Sequence, residues 1–307
     1  MKLGKYMSKD IINICADTSN FKEMVLACDA FVDKSLFIEG IVDNGYVSIF
    51  LTRPHGWGKT LNLDMLKTFL EPESKECQQR LQTSPKTPKV ICNRDLFIGG
   101  KVLLPTGEEK ALNSLQISAV DSGRFMRNQG KYPVIFLSLK NVVGNSMEEM
   151  LNALRVEINN LYKQHSYLME YLATDGKWGG TDLKRFELLY KDGAKLATEL
   201  DLECSVEFLS KLLHKYHKQE VYALIDDYDR PVSSHLAKNI GQTNLETKKL
   251  VKEIAEFTSA AFCLRVGKRN KHVKKLIMTG VFDTTKKFSS GGCNNYVLED
   301  VSNVGFS

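Results

Sequence analysis

The fold is decided by the stretch from Ser48 to Asn62, which reads SIFLTRPHGWGKTLN. An apolar strand leads into a turn with two glycines, and an amphipathic helix follows the turn. Phosphate groups bind where backbone N–H groups and a helix N-terminus point at them and a lysine reaches the terminal phosphates. Gly58, Lys59 and Thr60 supply these parts in order, and the Thr60 hydroxyl is a candidate ligand for Mg²⁺. The stretch therefore predicts a loop that binds the phosphates of a nucleotide.

The match to the phosphate-loop pattern G-x-x-x-x-G-K-[ST] is partial, because Arg53 stands where the first glycine belongs. A strand-to-helix turn with a solvated Lys59 is the alternative. The strand before the turn and the helix after it favour the phosphate loop, since that motif requires both. The residues predicted to bind the nucleotide are Arg53, Pro54, His55, Gly56, Trp57, Gly58, Lys59, Thr60 and Leu61.

A second strand, from Val221 to Ile225, ends in acidic residues at 226, 227 and 229. Ligands bind at the carboxyl ends of the strands in an open parallel sheet, so Asp226 is predicted to bind Mg²⁺ together with Thr60. Asp227 is predicted to be catalytic and to polarise the water that attacks the γ-phosphate. Thr279, at the end of a later strand, is predicted to sense the γ-phosphate or orient that water. The alternative is a polar turn after a buried strand.

The order of apolar patterns predicts an α/β fold with a mainly parallel central sheet. Residues 1–20 are interpreted as a lead-in and 73–128 as an excursion from the core, with a hairpin that pairs 101–104 with 115–117. Further strands are predicted at 132–139, where the sequence indicates a central strand covered on both faces, at 276–280 and at 296–298. Helices are predicted within 21–42, after the loop, from a capping box at Ser146 toward Leu172, over 182–200, from Ser205, and over 250–264.

Composition is that of a globular protein, with 307 residues, 43% hydrophobic and 26% charged. A net charge of +5 does not by itself indicate nucleic-acid binding. Seven cysteines lack a C-x-x-C pair, and their odd number argues against a full disulfide framework and favours a reducing compartment. The N-terminus does not resemble a signal peptide and no apolar run is long enough to span a bilayer, so we expect a cytoplasmic or nuclear protein without a membrane partner.

The densest basic run lies between residues 265 and 275. Such a run is usually a solvated face. A contact with nucleic acid is the alternative, although few aromatic residues are interleaved to stack on bases. The basic residues of the run are Arg265, Lys268, Arg269, Lys271, His272, Lys274 and Lys275.

Several segments together resemble the AAA-ATPase-like family of P-loop proteins, whose members often carry a PD-(D/E)XK nuclease-like domain downstream. The similarity runs from about Phe31 to the C-terminus. The resemblance implies ATP and Mg²⁺ as ligands and a three-layer P-loop NTPase of the additional-strand type over 21–307, with helices on both faces and the Thr279 strand between the loop strand and the acidic strand. The downstream nuclease-like domain is expected to be missing. The segments are Phe31–Ser35, Thr52–Pro54 with Gly58–Asn62, Lys131–Val134 with Leu137–Lys140, Leu224–Asp229 and Leu276–Gly280.

The family's loop usually opens with an Arg-Pro pair, as it does here, but three other positions depart from its pattern. His55-Gly56 replaces two basic residues, Asp227 replaces a glutamate, and Asp283 stands where an arginine is common. A shorter carboxylate misplaces the attacking water, and missing cations leave transition-state charge unstabilised. We therefore expect an ATP-binding, Mg²⁺-dependent NTPase with slow or absent hydrolysis.

Two alternatives remain at this point. One is a non-hydrolysing, nucleotide-dependent switch or interaction module, and the other is a nucleic-acid-binding remnant of a nuclease-associated ATPase. A homo-oligomer is left open by the sequence.

Overall fold

A five-stranded parallel sheet forms the centre of the computed structural model, which describes residues 18–83, 91–174, 180–238 and 245–282 and the backbone of 297–299. The strands of this sheet are β1 (Ser48–Thr52), β4 (Val134–Ser138), β5 (Val221–Asp226), β6 (Val273–Gly280) and β7 (Val297–Glu299), while β2 (Gly100–Leu103) and β3 (Glu109–Leu112) form a separate hairpin. The order across the sheet is β4-β5-β6-β1-β7, and every neighbouring pair is parallel.

Helices connect these strands. Before β4 they are α1 (Phe21–Ala27), α2 (Leu36–Asp43), α3 (Lys59–Leu70), α4 (Lys75–Thr83) and α5 (Asp95–Ile98). Between β4 and β6 they are α6 (Met147–Gln164), α7 (Tyr167–Thr174), α8 (Gly180–Tyr190), α9 (Glu199–Glu203), α10 (Ser205–His217), α11 (Arg230–Lys238) and α12 (Leu245–Thr258). Short 3₁₀ turns lie at Gln116–Ser118, Val120–Gly123, Phe125–Asn128 and Asp192–Ala194, and a π-helix spans Ser259–Lys268.

Two apolar cores lie on opposite faces of the sheet, because successive side chains of a strand point to opposite sides. In β1, Phe50 belongs to one core, and Ile49 and Leu51 belong to the other. The core that contains Phe50 is completed by α6, α8, α10 and α12, and the core that contains Ile49 is completed by α1, α2 and α3. Helices therefore cover both faces, which agrees with the prediction of an α/β fold.

The strand order confirms one expectation and corrects another. The Thr279 strand, β6, lies between β1 and β5, as the resemblance implies. β4 was expected to be central, but it lies at one end of the order. The apolar sequence of β4 is explained by the helices that cover both of its faces. A strand at the end of a sheet can be covered in this way, so the apolar pattern does not show that β4 has a strand on each side.

The helix predicted to run toward Leu172 is interrupted. α6 ends at Gln164, His165 has non-helical dihedral angles, and α7 begins at Tyr167. The Ser146 side chain caps α6 by accepting a hydrogen bond from the Glu149 N–H at 3.2 Å, as predicted. The Glu149 carboxylate accepts from the Asn145 N–H at 2.8 Å, so the reciprocal half of the capping box is displaced by one residue.

The prediction of one helix over 182–200 is wrong. α8 ends at Tyr190, and three consecutive residues with positive φ follow at 192–194, a conformation that a right-handed α-helix does not accommodate. The buried Asn159 amide on α6 donates to the Leu189 carbonyl at 3.1 Å and the Tyr190 carbonyl at 2.6 Å. These bonds satisfy carbonyls that the end of a helix leaves without partners.

The α12 region also differs from the prediction of a single helix over 250–264. α12 begins earlier, at Leu245, and continues after Thr258 as a π-helix. α11 is a short helix of nine residues that was not predicted from the sequence.

The hairpin in the excursion exists with a different partner. β2 pairs with β3 in antiparallel register, from Gly100↔Leu112 to Leu103↔Glu109. The predicted partner, 115–117, instead leads into a 3₁₀ turn. The apolar pattern did not predict β3, because Glu109 and Lys110 are charged. The register of the hairpin is fixed instead by the turn around Gly107, which has a φ of 87°.

A full disulfide framework and an oxidising compartment were not expected, but Cys77 and Cys92 do form a disulfide bond between α4 and the segment before α5. Cys204 and Cys263 are not disulfide-bonded. Among the helices that the structure describes, none is both long and apolar enough to cross a bilayer.

Adjacent asparagines test the junction between α6 and α8. Asn159→Leu removes both donors from the buried carbonyls, and we expect it to lower the free energy of unfolding by about 1 to 3 kcal/mol. Asn160→Leu, the same change at an exposed neighbour, should stay within about 0.5 kcal/mol of wild type. Urea unfolding followed by circular dichroism measures both, and equal effects in the two variants would contradict the assignment.

Candidate functional site

The predicted phosphate loop connects β1 to α3 at the carboxyl edge of the sheet. Gly56 and Gly58 have positive φ, 81° and 74°, and Gly58 is the N-cap of α3. Arg53 is not among the residues with positive φ, and its N–H donates to the Gly280 carbonyl at 3.0 Å. Arg53, at the first position of this loop, therefore continues the pairing of β1 with β6. Its backbone conformation does not require the glycine that the motif has at this position.

The Lys59 side chain folds back over this loop. Its ammonium donates to the Arg53 carbonyl at 2.9 Å and to the Pro54 carbonyl at 3.0 Å. The lysine is thereby fixed at the start of α3, where the N–H groups of the first turn have no intrahelical partners. A positive charge and free backbone donors at one helix N-terminus form an environment suited to an anion.

Asp226 connects three elements of the site. It lies at the end of β5 and is 1% exposed. One of its carboxylate oxygens accepts from the Thr60 hydroxyl on α3 at 2.6 Å, and the other accepts from the Thr279 hydroxyl on β6. The parallel register of β5, β6 and β1 brings the three residues to the same edge of the sheet. The predicted metal ligands Thr60 and Asp226 are therefore in direct contact.

Asp227 lies beside this contact and is half-buried. Its backbone adopts a left-handed conformation with φ 51°, which is uncommon for residues other than glycine and is tolerated by Asp. Burial raises the pKa of its carboxyl, and so do the charges of Asp226 and Asp229, whereas Lys59 and His55 lower it. The Asp227 carboxyl therefore lies close enough to interact both with the acids at the end of β5 and with Lys59 and His55 of the loop.

The remaining loop residues lie around this centre. Trp57 is 59% exposed, and the Arg53 guanidinium lies 5.9 Å from the centre of its ring. Leu61 packs against the core of α1, α2 and α3. The structure thus brings Lys59, Thr60 and the acids together and leaves the indole at the surface.

Sequence reasoning missed the residues that join the ends of β5 and β6. The Tyr228 N–H donates to the Thr279 carbonyl at 3.0 Å, and its hydroxyl donates to the Phe282 carbonyl at 2.7 Å. The buried Asp229 carboxylate accepts from the Phe282 N–H at 3.1 Å. Burial raises the pKa of Asp229, and backbone hydrogen bonds to Val281 and Phe282 oppose that rise. Asp229 stood out in the sequence as one of three acids, and Tyr228 only as a member of the segment Leu224–Asp229 that carries the family resemblance.

The donor set at this centre fits Mg²⁺. The Thr60 hydroxyl and the Asp226 carboxylate provide hard oxygen ligands, which Mg²⁺ prefers. Asp226 also raises the pKa of the neighbouring Asp227, and a nearby cation relieves such repulsion between carboxylates. The one group of three or more His, Cys, Asp or Glu ligands among the described residues lies elsewhere, at Glu73, Cys77 and Cys92, where the two cysteines are joined by a disulfide.

The basic run does not form one solvated face. Arg265 pairs with Glu203 at 2.6 Å and Glu207 at 3.4 Å, and Lys274 pairs with Glu220 at 3.2 Å. Lys275 is buried, and its ammonium donates to the Asn44 and Tyr46 carbonyls. The exposed members are Lys268, Arg269 and Lys271. Only these three fit the expectation of a solvated face, and the nucleic-acid alternative loses most of its basic surface.

The family model described as Predicted AAA-ATPase matches residues 16–84 and 105–288 of the chain. The chain belongs to this family. The match includes the loop, both acidic positions and the Thr279 strand, so the resemblance noted in the sequence is confirmed for most of the chain. A search of curated proteins and a search of solved structures each gave no match. Asp283, the third departure from the family pattern, lies outside the described residues.

A glycine substitution tests the junction of β5 and β6. A Cβ at Gly280 would lie 2.5 Å from Oδ1 of Asp229 and 2.8 Å from Cε1 of Tyr228. Both side chains are held in place by hydrogen bonds to Phe282. We expect Gly280→Ala to lower the free energy of unfolding by about 1 to 3 kcal/mol. Gly45→Ala is the control, because nothing lies within 4 Å of its added Cβ. Denaturant unfolding of both variants decides the matter, and a Gly280→Ala protein as stable as Gly45→Ala would refute the packing argument.

Proposed function

We propose that this chain is an ATP-binding P-loop NTPase of the additional-strand type, with slow Mg²⁺-dependent hydrolysis. The observation that carries the proposal is the 2.6 Å hydrogen bond between Thr60, directly after the loop lysine, and Asp226 at the end of β5. A hydroxyl and a carboxylate from distant parts of the chain meet beside a lysine at a helix N-terminus. Membership in the Predicted AAA-ATPase family supports the nucleotide in general terms.

In this proposal the loop from Arg53 to Leu61 binds the triphosphate. Backbone N–H groups at the start of α3 contact the phosphates, and the positive φ of Gly56 and Gly58 shapes the turn around them. Lys59 exchanges its two carbonyl acceptors for phosphate oxygens, which are stronger partners because they are charged.

Thr60 and Asp226 would hold Mg²⁺, which when bound would neutralise part of the charge of the phosphates. The hydroxyl of Thr279 donates to Asp226. We therefore assign Thr279 a positioning role: it fixes the orientation of the Asp226 carboxylate. This assignment replaces direct contact with the γ-phosphate or the attacking water, the roles expected from the sequence.

Asp227 is proposed to position the attacking water. Its side chain is one methylene shorter than the glutamate common in the family, and its left-handed backbone fixes where the carboxylate begins. A misplaced water reacts slowly even when binding is intact. This geometry is the basis for proposing slow turnover.

Lys59→Ala tests the binding half of the proposal. Removing a charge-assisted contact to phosphate costs about 1.5 to 3 kcal/mol, so we expect the affinity for ATP with Mg²⁺ to fall about 10- to 100-fold in calorimetric titration. Lys271→Ala, which removes an exposed lysine of the basic run, should bind as wild type does. Indistinguishable affinities for the wild type and both variants would reject the loop as the phosphate site.

Substitutions of Asp227 distinguish an ATPase from a non-hydrolysing switch. If the short carboxylate limits turnover, Asp227→Glu should accelerate phosphate release, while Asp227→Asn should slow it to the background rate with ATP affinity retained. Phosphate release and ATP binding are measured on the same preparations. Binding without release, in the wild type and in Asp227→Glu alike, would support the non-hydrolysing switch instead of the ATPase.

A further inference from the structure

A cavity of about 440 Å³ lies directly beside the phosphate loop. Phe21 and Met24 of α1 form one wall, and Phe31 and Val32 of the segment between α1 and α2 form another. Its size is within the range of about 300 to 1,000 Å³ that is typical of small-molecule sites. The side chains predicted to contact phosphate or Mg²⁺, those of Lys59, Thr60 and Asp226, are not in its lining.

The cavity and the phosphate loop share the start of α3. Gly58, Leu61 and Asn62 line the cavity, whereas Thr60 points to Asp226. Lys59, between Gly58 and Thr60, reaches over the loop. The first turn of α3 therefore presents its polar side to the acidic strand end and its more apolar side to the cavity. A ligand with phosphates on the loop and an attached flat apolar group would fit both sides.

The segment that carries Phe31 and Val32 is held in place through Asp33, which itself lines the cavity. The two carboxylate oxygens of Asp33 accept from the Ser35 and Gln116 N–H groups, each at 2.8 Å. The Ser35 hydroxyl oxygen, fully buried, accepts from the Ile117 N–H at 3.1 Å. These contacts fix the segment to the residues that follow the hairpin.

A lysine holds the other end of the same segment. The Lys110 ammonium, on β3, donates to the Leu26 carbonyl at 2.9 Å and the Cys28 carbonyl at 2.8 Å. Both ends of the wall are thus anchored to the excursion without the help of a ligand. A site that is already formed pays less ordering cost when the ligand binds.

We propose that this cavity binds the base of the nucleotide whose phosphates bind at the loop. The inference rests on the proposed function. Phe31, Met24 and Leu61 provide apolar surface for a flat heteroaromatic ring, and such contacts suit nucleobases because every base has a π-face. The Asn62 amide, which carries both a donor and an acceptor, lies in the lining and reads the polar edge of the ring. Inorganic triphosphate has no group for this cavity.

The test compares two probes, ATP and inorganic tripolyphosphate, each with Mg²⁺. Ala30 is exposed at its own position and lines the cavity, so Ala30→Trp places an indole where the base would lie. We expect this variant to lose ATP affinity about tenfold or more and to keep tripolyphosphate affinity within about twofold. Ala173→Trp, the same change at an exposed position of α7 away from the cavity, should match wild type with both probes.

Two further variants distinguish an effect on the base site from an effect on the phosphate site. Lys59→Ala should weaken both probes, because both depend on the phosphate site. Phe31→Ala, which removes a wall instead of filling the space, should again weaken ATP selectively, and it provides a second reading if the tryptophan variant does not fold.

An Ala30→Trp protein that binds ATP as wild type does, or that loses both probes equally, overturns the base site while leaving the loop assignment standing. Wild-type protein that binds neither probe overturns the proposed function itself, and the base site with it.

Discussion

The site depends on one buried carboxylate. Asp226 is almost inaccessible to solvent, and a charged group in that position is stable only when its oxygens have partners. The Thr60 and Thr279 hydroxyls are those partners, one from the helix after the loop and one from the neighbouring strand. The carboxylate therefore holds β5, β6 and α3 in a fixed relation. The geometry of the loop follows from this constraint, because α3 begins where the loop ends.

A second set of contacts holds the surroundings of the site in place. Tyr228 and Asp229 join the end of β5 to the end of β6, and the close approach of Gly280 makes that junction tight. Asp33, Ser35 and Lys110 do the same for the segment between α1 and α2. The excursion at 73–128 therefore supports the segment between α1 and α2 and helps to shape the candidate site.

The sequence predicted what local chemistry determines. The strand, the glycines and Lys59 lie within one short stretch, and the acids after β5 follow an apolar run, so both were visible without coordinates. The contacts of Tyr228, Gly280 and Asp33 were not, because each depends on a partner that is distant in the sequence or on space that only the folded chain defines. The predicted helix ends were wrong for the same reason. The end of α8 at Tyr190 depends on Asn159 from another helix and on positive φ at 192–194. The polar strand β3 was hidden because its register is fixed by a turn and its residues carry no apolar alternation.

The strand order also bears on how the chain is made. β1 emerges from the ribosome well before its two neighbours in the sheet, because β6 and β7 lie far later in the chain. Until then both hydrogen-bonding edges of this apolar strand lack their native partners, and such edges invite pairing with other chains. Closing so long a loop is slow, since contacts between distant residues carry a large entropic cost before they gain any stability. The arrangement that brings Thr60 to Asp226 therefore leaves β1 without its native neighbours until β6 and β7 have been synthesised.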